Sequence, residues 1–246
     1  MLTAIMSDIH GNREALAACV AHAERLGIDR IIYLGDYVGY GADPGWVLET
    51  VQGHVREGAI ALLGNHDEAI VGSDEDMNSD ARAAIRWTRR ELGESARVFL
   101  AGLPLMHRER HRLFAHANGH APGQWAYIQG PIEAEWSLRR TDARIMICGH
   151  VHVPALYAIA RGKPTLAHTP GSGVAVPLLA TRQWLCTIGA VGQPRDGNPA
   201  AAYALLDDER DTLTSVRVPY DIETAAQKIL AAGLPLRFAA RLHLGR

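Results

Sequence analysis

Aspartate, asparagine and histidine recur in this chain directly behind short apolar runs. Asp8 and His10 follow Leu2 to Met6. Asp36, after Gly35, follows Ile31 to Leu34. Asn65, His66 and Asp67, after Gly64, follow Ala59 to Leu63. His116 follows Leu113 to Ala115, and His150 and His152 follow Arg144 to Cys148. Carboxylate, imidazole and amide groups without a thiolate suit Mn, Fe, Ni, Co or Zn rather than a calcium site or a thiolate zinc site. Asp8 and His10 are two apart, as are His150 and His152. In extended chain, residues i and i+2 point to the same side, so an extended backbone is expected to turn each pair into one pocket. His66 is a different candidate. It neighbours Asn65 but projects elsewhere, and an imidazole that titrates near neutrality suits a general acid. Asn12 opens the first helix and is read either as a phosphate contact or as the helix cap. Arg195 is a further candidate phosphate contact, or a plain loop arginine.

Alternating strands and helices must position these residues. Leu2 to Met6 reads as a buried strand, Arg13 to Leu26 as a helix stopped by Gly27, Ile31 to Leu34 as a strand, Pro44 to Val51 as a helix and Ala59 to Leu63 as a strand. That rhythm implies a parallel sheet whose strand ends lie side by side, where ligand sites collect. Asp80 to Glu91 reads as a helix with a solvated arginine face (Arg82, Arg86, Arg89, Arg90). Short apolar runs at Leu113–Ala115, Arg144–Cys148, Leu156–Ile159, Trp184–Ile188, Tyr203–Leu206 and Leu213–Val218 suggest a second, more mixed sheet. Ile222 to Ala232 reads as a closing helix, and the basic tail LRFAARLHLGR is expected to be peripheral. The apolar stretch from Gly173 to Thr187 is open between core, lid and oligomer contact. No linker or internal repeat interrupts residues 1–246, so a single domain with two sheets is expected.

Composition narrows the function classes. The chain has 246 residues, of which 48% are hydrophobic, enough for a sizeable core. Its 25 basic and 27 acidic residues leave a net charge of -2, so no basic excess points to nucleic acid. Three cysteines (Cys19, Cys148, Cys186) form no CxxC pair, and packing in a reducing cytoplasm is the expectation. No signal-peptide pattern or membrane-length apolar segment occurs, so a cytoplasmic location without membrane contact is expected.

Taken together, Asp8-x-His10, Gly35-Asp36, Gly64-Asn65-His66-Asp67, His116 and Gly149-His150-x-His152 resemble the signature of the calcineurin-like metallophosphoesterase superfamily. Val191 to Gly197 extends the similarity. The resemblance implies an α/β fold, a four-layer α/β/β/α sandwich of two mixed sheets, with two divalent metal ions at one sheet edge. It implies that Asp8, His10 and His152 hold one metal, that Asn65, His116 and His150 hold the other, and that Asp36 bridges them. Two such ions, two aspartates and a bridging hydroxide leave a net positive site, which favours an anionic phosphate ester. The expected reaction is hydrolysis of a small or nucleotide-like phosphodiester by a metal-activated hydroxide, with His66 as general acid.

The segment Gly35-Asp36-Tyr37-Val38-Gly39-Tyr40-Gly41 departs from the related Ser/Thr phosphatases. Gly39 stands where they carry an aspartate that orients the acid, and Tyr40 where they carry a phosphate-binding arginine. This argues against protein phosphatase activity and leaves Asp67 and Asp43 as candidates to orient His66. Phosphomonoesterase, dinucleoside polyphosphate hydrolase and a non-catalytic metal-bearing scaffold are the alternatives. The retained His66 weighs against the scaffold.

Overall fold

The computed structural model describes residues 1–246. Two six-stranded mixed sheets face each other. In the first sheet β1 (Leu2–Met6), β2 (Arg30–Tyr33) and β3 (Ile60–Ala61) run parallel. β11 (Ala201–Asp207) pairs antiparallel with β1, followed by β12 (Thr212–Val218) and β9 (Ala175–Pro177). In the second sheet β5 (Arg112–Ala115), β6 (Ile145–Cys148) and β10 (Gln183–Ile188) are parallel neighbours. The hairpin strand β4 (Met106–Glu109) flanks β5, β7 (Pro154–Ile159) pairs antiparallel with β10, and β8 (Leu166–His168) pairs with β7 at the edge.

The apolar runs are continuous because their strands are covered on both faces. Ile5, Ile32 and Leu34 of the first sheet meet Phe114, Ile147 and Cys186 of the second in one buried cluster. On the outer face of the first sheet, α1 (Arg13–Arg25) and α2 (Pro44–Arg56) bury Leu16, Cys19, Val47 and Leu48 against Met6, Tyr33 and Tyr203. On the outer face of the second, α6 (Pro131–Leu138) packs Ala134 and Leu138 on Met146 and Leu185. These are the four layers α/β/β/α.

Several elements escape the sequence pattern. Helices α3 (Asn65–Val71), α5 (Glu94–Ala101) and α6 have only seven or eight residues, too few for a 3.6-residue period to stand out. Strands β4, β8 and β9 lie outermost or nearly so and have partly or fully exposed residues, so they lack an apolar run. The arginine face of α4 (Ser79–Glu91) is not simply solvated. Arg82 donates to the carbonyls of Asp74, Glu75 and Met77, Arg89 to those of Ala69, Ile70 and Gly72, and Arg86 pairs with Asp74. Those carbonyls at the end of α3 and beyond it are satisfied by α4. Only Arg90 of the four makes no such contact.

The basic tail is not peripheral. It forms α8 (Leu236–Leu244), which packs on α7 (Ile222–Ala231) and buries Phe238, Ala239 and Leu242. Positions 238, 239 and 242 fall on one helical face, which a basic composition conceals. The stretch 173–187 resolves into edge strand β9 and central strand β10. Leu178, Trp184, Leu185 and Cys186 are core, while Val174 and Leu179 are exposed.

Candidate active site

The ends of β1, β2, β3, β5 and β6 bring Asp8, His10, Asp36, Asn65, His66, His116, His150 and His152 to one edge of the sandwich. All but Asn65 are buried. Gly149 lets the two sheets meet there. A side chain on it would run into Ser7 and the carboxylate of Asp8. The two sheets are stitched at this point, because the His150 N–H donates to Asp8 Oδ2 at 2.9 Å.

The histidine and aspartate pairs do face one pocket, but not through extended chain. Asp8, His10, Asp36, His150 and His152 have φ of 56°, 50°, 57°, 67° and 59°. These are left-handed conformations that cost a non-glycine residue about 1–3 kcal/mol each. Backbone bonds hold the turns. Asp8 N–H donates to Gly35 O at 3.0 Å, His10 N–H to Asp36 O at 2.9 Å, and Gly149 N–H to His116 O at 2.9 Å.

Four imidazoles are oriented by backbone carbonyls on their outer nitrogens. His10 Nδ1 meets Val38 O at 3.1 Å, His116 Nδ1 meets Leu34 O at 3.2 Å, and His152 Nδ1 meets Gln193 O at 2.6 Å. His150 is reversed, with Nε2 on Trp125 O at 2.9 Å. A carbonyl can only accept, so each outer nitrogen carries a proton, and in the neutral ring the inner nitrogen has its lone pair for the pocket. The inner nitrogens lie close to one another. His10 Nε2 and His152 Nε2 are 3.2 Å apart, and His116 Nε2 and His150 Nδ1 are 3.1 Å apart.

Three groups of donors could hold a metal ion: Asp8, His10 and His152; His10, Asp36 and His66; and Asp36, His116 and His150. His152 Nε2 and His10 Nε2 lie 3.2 and 3.9 Å from Asp8 Oδ1. That buried oxygen has no hydrogen-bond partner. His116 Nε2 lies 3.3 Å from Asn65 Oδ1 and 3.4 Å from Asp36 Oδ2. Asp36 Oδ2 is also 3.6 Å from His10 Nε2, so it stands between the first and third groups. Its other oxygen accepts the His66 N–H at 2.8 Å.

Burial and charge act strongly here. Burial would raise the Asp8 carboxyl, yet His152 beside it holds it below the usual carboxylate range. Burial drives His10 well below its ordinary pKa and His150 down to about 3. His116 goes the other way, to about 9; burial opposes the shift, but the charge and hydrogen bond of Asp36 prevail.

His66 belongs to one of the donor groups, with His10 and Asp36, but its ring nitrogens make none of the short contacts described above. Its ring meets His10 edge-on at 4.8 Å and Tyr40 at 4.6 Å. Burial lowers its pKa to about 4. Its Nδ1 is buried without a partner and abuts Gly39, where any side chain would collide with it. Neither candidate carboxylate orients it. Asp67 accepts the N–H groups of Asp36, Tyr37 and Gly64, and Asp43 pairs with Lys228 at 2.8 Å. Packing by Tyr40 and His10 fixes the ring instead.

Asn12 is committed to capping. Its Oδ1 accepts from Ala15 N at 3.0 Å, and its amide donates to Gly192 O and Tyr220 Oη. No donor is left for a phosphate. Arg195 is half-buried at the rim with its guanidinium 5.8 Å from the Tyr40 ring centroid. Two aromatic residues that the sequence did not single out also line the site. Tyr127 stacks on His150 at 4.1 Å, and Trp125 meets His116 at 5.8 Å. Both lie in an irregular loop with no periodicity to flag them. A groove of about 480 Å³ runs from Tyr127 past Val151 and Val153 to Arg195. Another, of about 550 Å³, lies between Trp125, Asn65 and Met77.

A model of the calcineurin-like phosphoesterase superfamily domain matches residues 1–211. The chain is 33% identical over 251 residues to an uncharacterized protein of Methanocaldococcus jannaschii, covering 100% of this chain and 98% of that one. A metallophosphoesterase of Sphaerobacter thermophilus superposes with a TM-score of 0.89 at 32% identity, over 100% of this chain and 99% of that one. A hypothetical protein of Pyrococcus horikoshii has the same fold, with a TM-score of 0.80 at 19% identity over 100% and 98% of the two chains.

Proposed function

The chain belongs to the calcineurin-like phosphoesterase superfamily, and on that premise we propose that it is a dinuclear metal-dependent phosphodiesterase acting on a small or nucleotide-like substrate. One observation carries the reading. Four imidazoles, each tethered through its outer nitrogen to a backbone carbonyl, converge their inner nitrogens on one pocket beside Asp8 Oδ1, a buried oxygen without a partner. A metal cation among these nitrogens and carboxylate oxygens satisfies all of them at once, so the donor set fits bound metal. Asp8, His10 and His152 would hold one ion, Asn65, His116 and His150 another, and Asp36 both. The N/O donors favour Mn, Fe, Zn, Ni or Co. Bound there, two divalent ions would supply Lewis acidity, polarising water and neutralising phosphoryl oxygens.

The chain's own residues supply the rest. The carbonyls of Val38, Leu34, Trp125 and Gln193 keep the ligand imidazoles in the binding tautomer. His66 serves as general acid once the anionic phosphate beside it favours its protonated form, against the burial that lowers its pKa to about 4 in the free chain rather than leaving it near neutrality. Its Nδ1 is enclosed against Gly39, so the proton is delivered from Nε2 to the leaving oxygen. Arg195 faces the substrate from the rim. Gly39 and Tyr40, in place of an orienting aspartate and a phosphate-binding arginine, favour a small diester over a phosphoprotein. Three buried free thiols fit a reducing cytoplasm. The substrate is the only partner the site requires.

The test is a leaving-group series on His66→Asn. For aryl phosphodiesters with poor leaving groups, kcat is expected to fall about 10²–10⁴-fold with metal content unchanged. The loss should shrink for p-nitrophenolate, which departs without a proton. An equal loss across the series rejects His66 as the acid.

A further inference from the structure

The C-terminal helix adds a charge to the site rim. Phe238 of α8 packs on Tyr40 at 4.9 Å between ring centroids. Arg241 lies three residues on, one helical turn from Phe238, and the Gly197 N–H to Gly245 O bond of 2.9 Å ties this end of α8 to the loop that carries Arg195. Leu242, next in sequence, is buried. Arg195 reaches Tyr40 from the β10–β11 connection. Tyr40 itself packs on His10 and His66, both at 4.6 Å. The Arg195 guanidinium and the helix turn that carries Arg241 thus adjoin one aromatic ring beside the candidate metal ligands.

Neither guanidinium has an anion. Nearby acids are already taken: Asp80 pairs with Arg237, Asp196 with Arg217, and Glu14 and Asp43 with Lys228. No carboxylate lies within ion-pair distance of Arg195 or Arg241, and the one side-chain partner of Arg195 is the neutral Gln193. Both arginines are half-buried. Burial, and after it the charge of Arg195, lowers the pKa of Arg241. Partly desolvated like charges held together are unfavourable unless an anion joins them. Planar guanidinium forks match phosphate oxygens.

We propose that Arg195 and Arg241 form a second anion site beside the catalytic edge, taking a phosphate group of the substrate other than the one cleaved. The argument rests on the phosphoesterase reading above. A simple phosphodiester carries one negative charge, which a cation centre already meets. Two further guanidiniums answer to a substrate with an additional phosphate, such as one containing a pyrophosphate link.

The experiment measures anion binding by isothermal titration calorimetry on the full chain after EDTA treatment. Inorganic pyrophosphate and inorganic phosphate are the probes. Pyrophosphate should bind at least about tenfold more tightly than phosphate, since its extra charge spans both arginines. Arg241→Gln and Arg195→Gln should each remove most of that preference, Arg241→Lys should keep part of it, and Arg90→Gln on exposed α4 should leave it intact. Equal binding of the two anions, or a preference that survives both glutamine variants, overturns the proposal. Hydrolysis of bis-p-nitrophenyl phosphate by the metal-loaded chain is read alongside. Turnover without the preference rejects only the anion site; preference without turnover rejects only the catalytic reading.

Discussion

His66 and Gly39 form one unit. The glycine has φ of 84°, and any side chain placed on it would meet His66 Nδ1. An aspartate cannot be introduced there to orient the imidazole without displacing it. Gly39→Asp is therefore expected to lower kcat about 10²-fold or more rather than improve it, because a misplaced acid forfeits the proton-transfer contribution. Steady-state kinetics on an aryl diester checks this; an unchanged or higher kcat means that His66 does not depend on this packing. That these residues gather at one edge was legible, because each follows an apolar run. How they are aimed was not. A spacing of two suggested extended chain, whereas the backbone turns left-handed at Asp8, His10, His150 and His152. Residue types do not reveal that conformation when the strain is carried by a site rather than by glycine.

At the level of elements, α8 was the main surprise. Its arginines advertised a surface tail, but Phe238 and Leu242 dock it on α7 and Tyr40. Phe238→Ala is expected to destabilise the chain by about 3–5 kcal/mol, a cost typical of deleting a buried aromatic ring. Denaturant unfolding measures the loss, and a change below about 1 kcal/mol would show that α8 is only loosely attached. The buried strands and helices α1, α2, α4 and α7 were readable from periodicity, whereas the exposed strands β4, β8 and β9 were not. The short helices α3, α5 and α6 were not, since their ends are set by tertiary contacts. The α3–α4 connection shows this: Arg82 and Arg89 satisfy carbonyls that no local pattern announces.

Across the whole molecule, the two sheets are joined at opposite edges by different chemistry. At the N-terminal ends of the strands, Arg30 of β2 grips Glu109 of β4 with two contacts of 2.6 Å. Arg112 of β5 pairs with Asp208, and Arg144, just before β6, pairs with Asp211. At the other edge the Asp8 carboxylate and the histidines link the sheets. The hydrogen bond from Arg30 lowers the Glu109 carboxyl to about 2, against the opposing effect of burial. A carboxyl depressed by folding stabilises above its unfolded pKa of about 4.3 and loses that stability as pH falls toward the folded value. Glu109→Gln should lower the melting temperature at pH 7 and match the parent chain near pH 2. A constant difference between the two across that window would contradict the assignment. Because both edges tie the same two sheets, we propose that residues 1–246 unfold as one unit.

The central claim is that the edge joining Asp8, Asp36 and the four histidines holds two catalytic metal ions. Titrating Mn into the EDTA-treated chain while following bis-p-nitrophenyl phosphate hydrolysis tests it most directly. Activity is expected to be absent without metal and to saturate at about two ions per chain, as a two-metal phosphoesterase requires. Hydrolysis that persists without metal, or that stays absent at saturating Mn and equally with Zn, Ni, Co and Fe, would contradict the account.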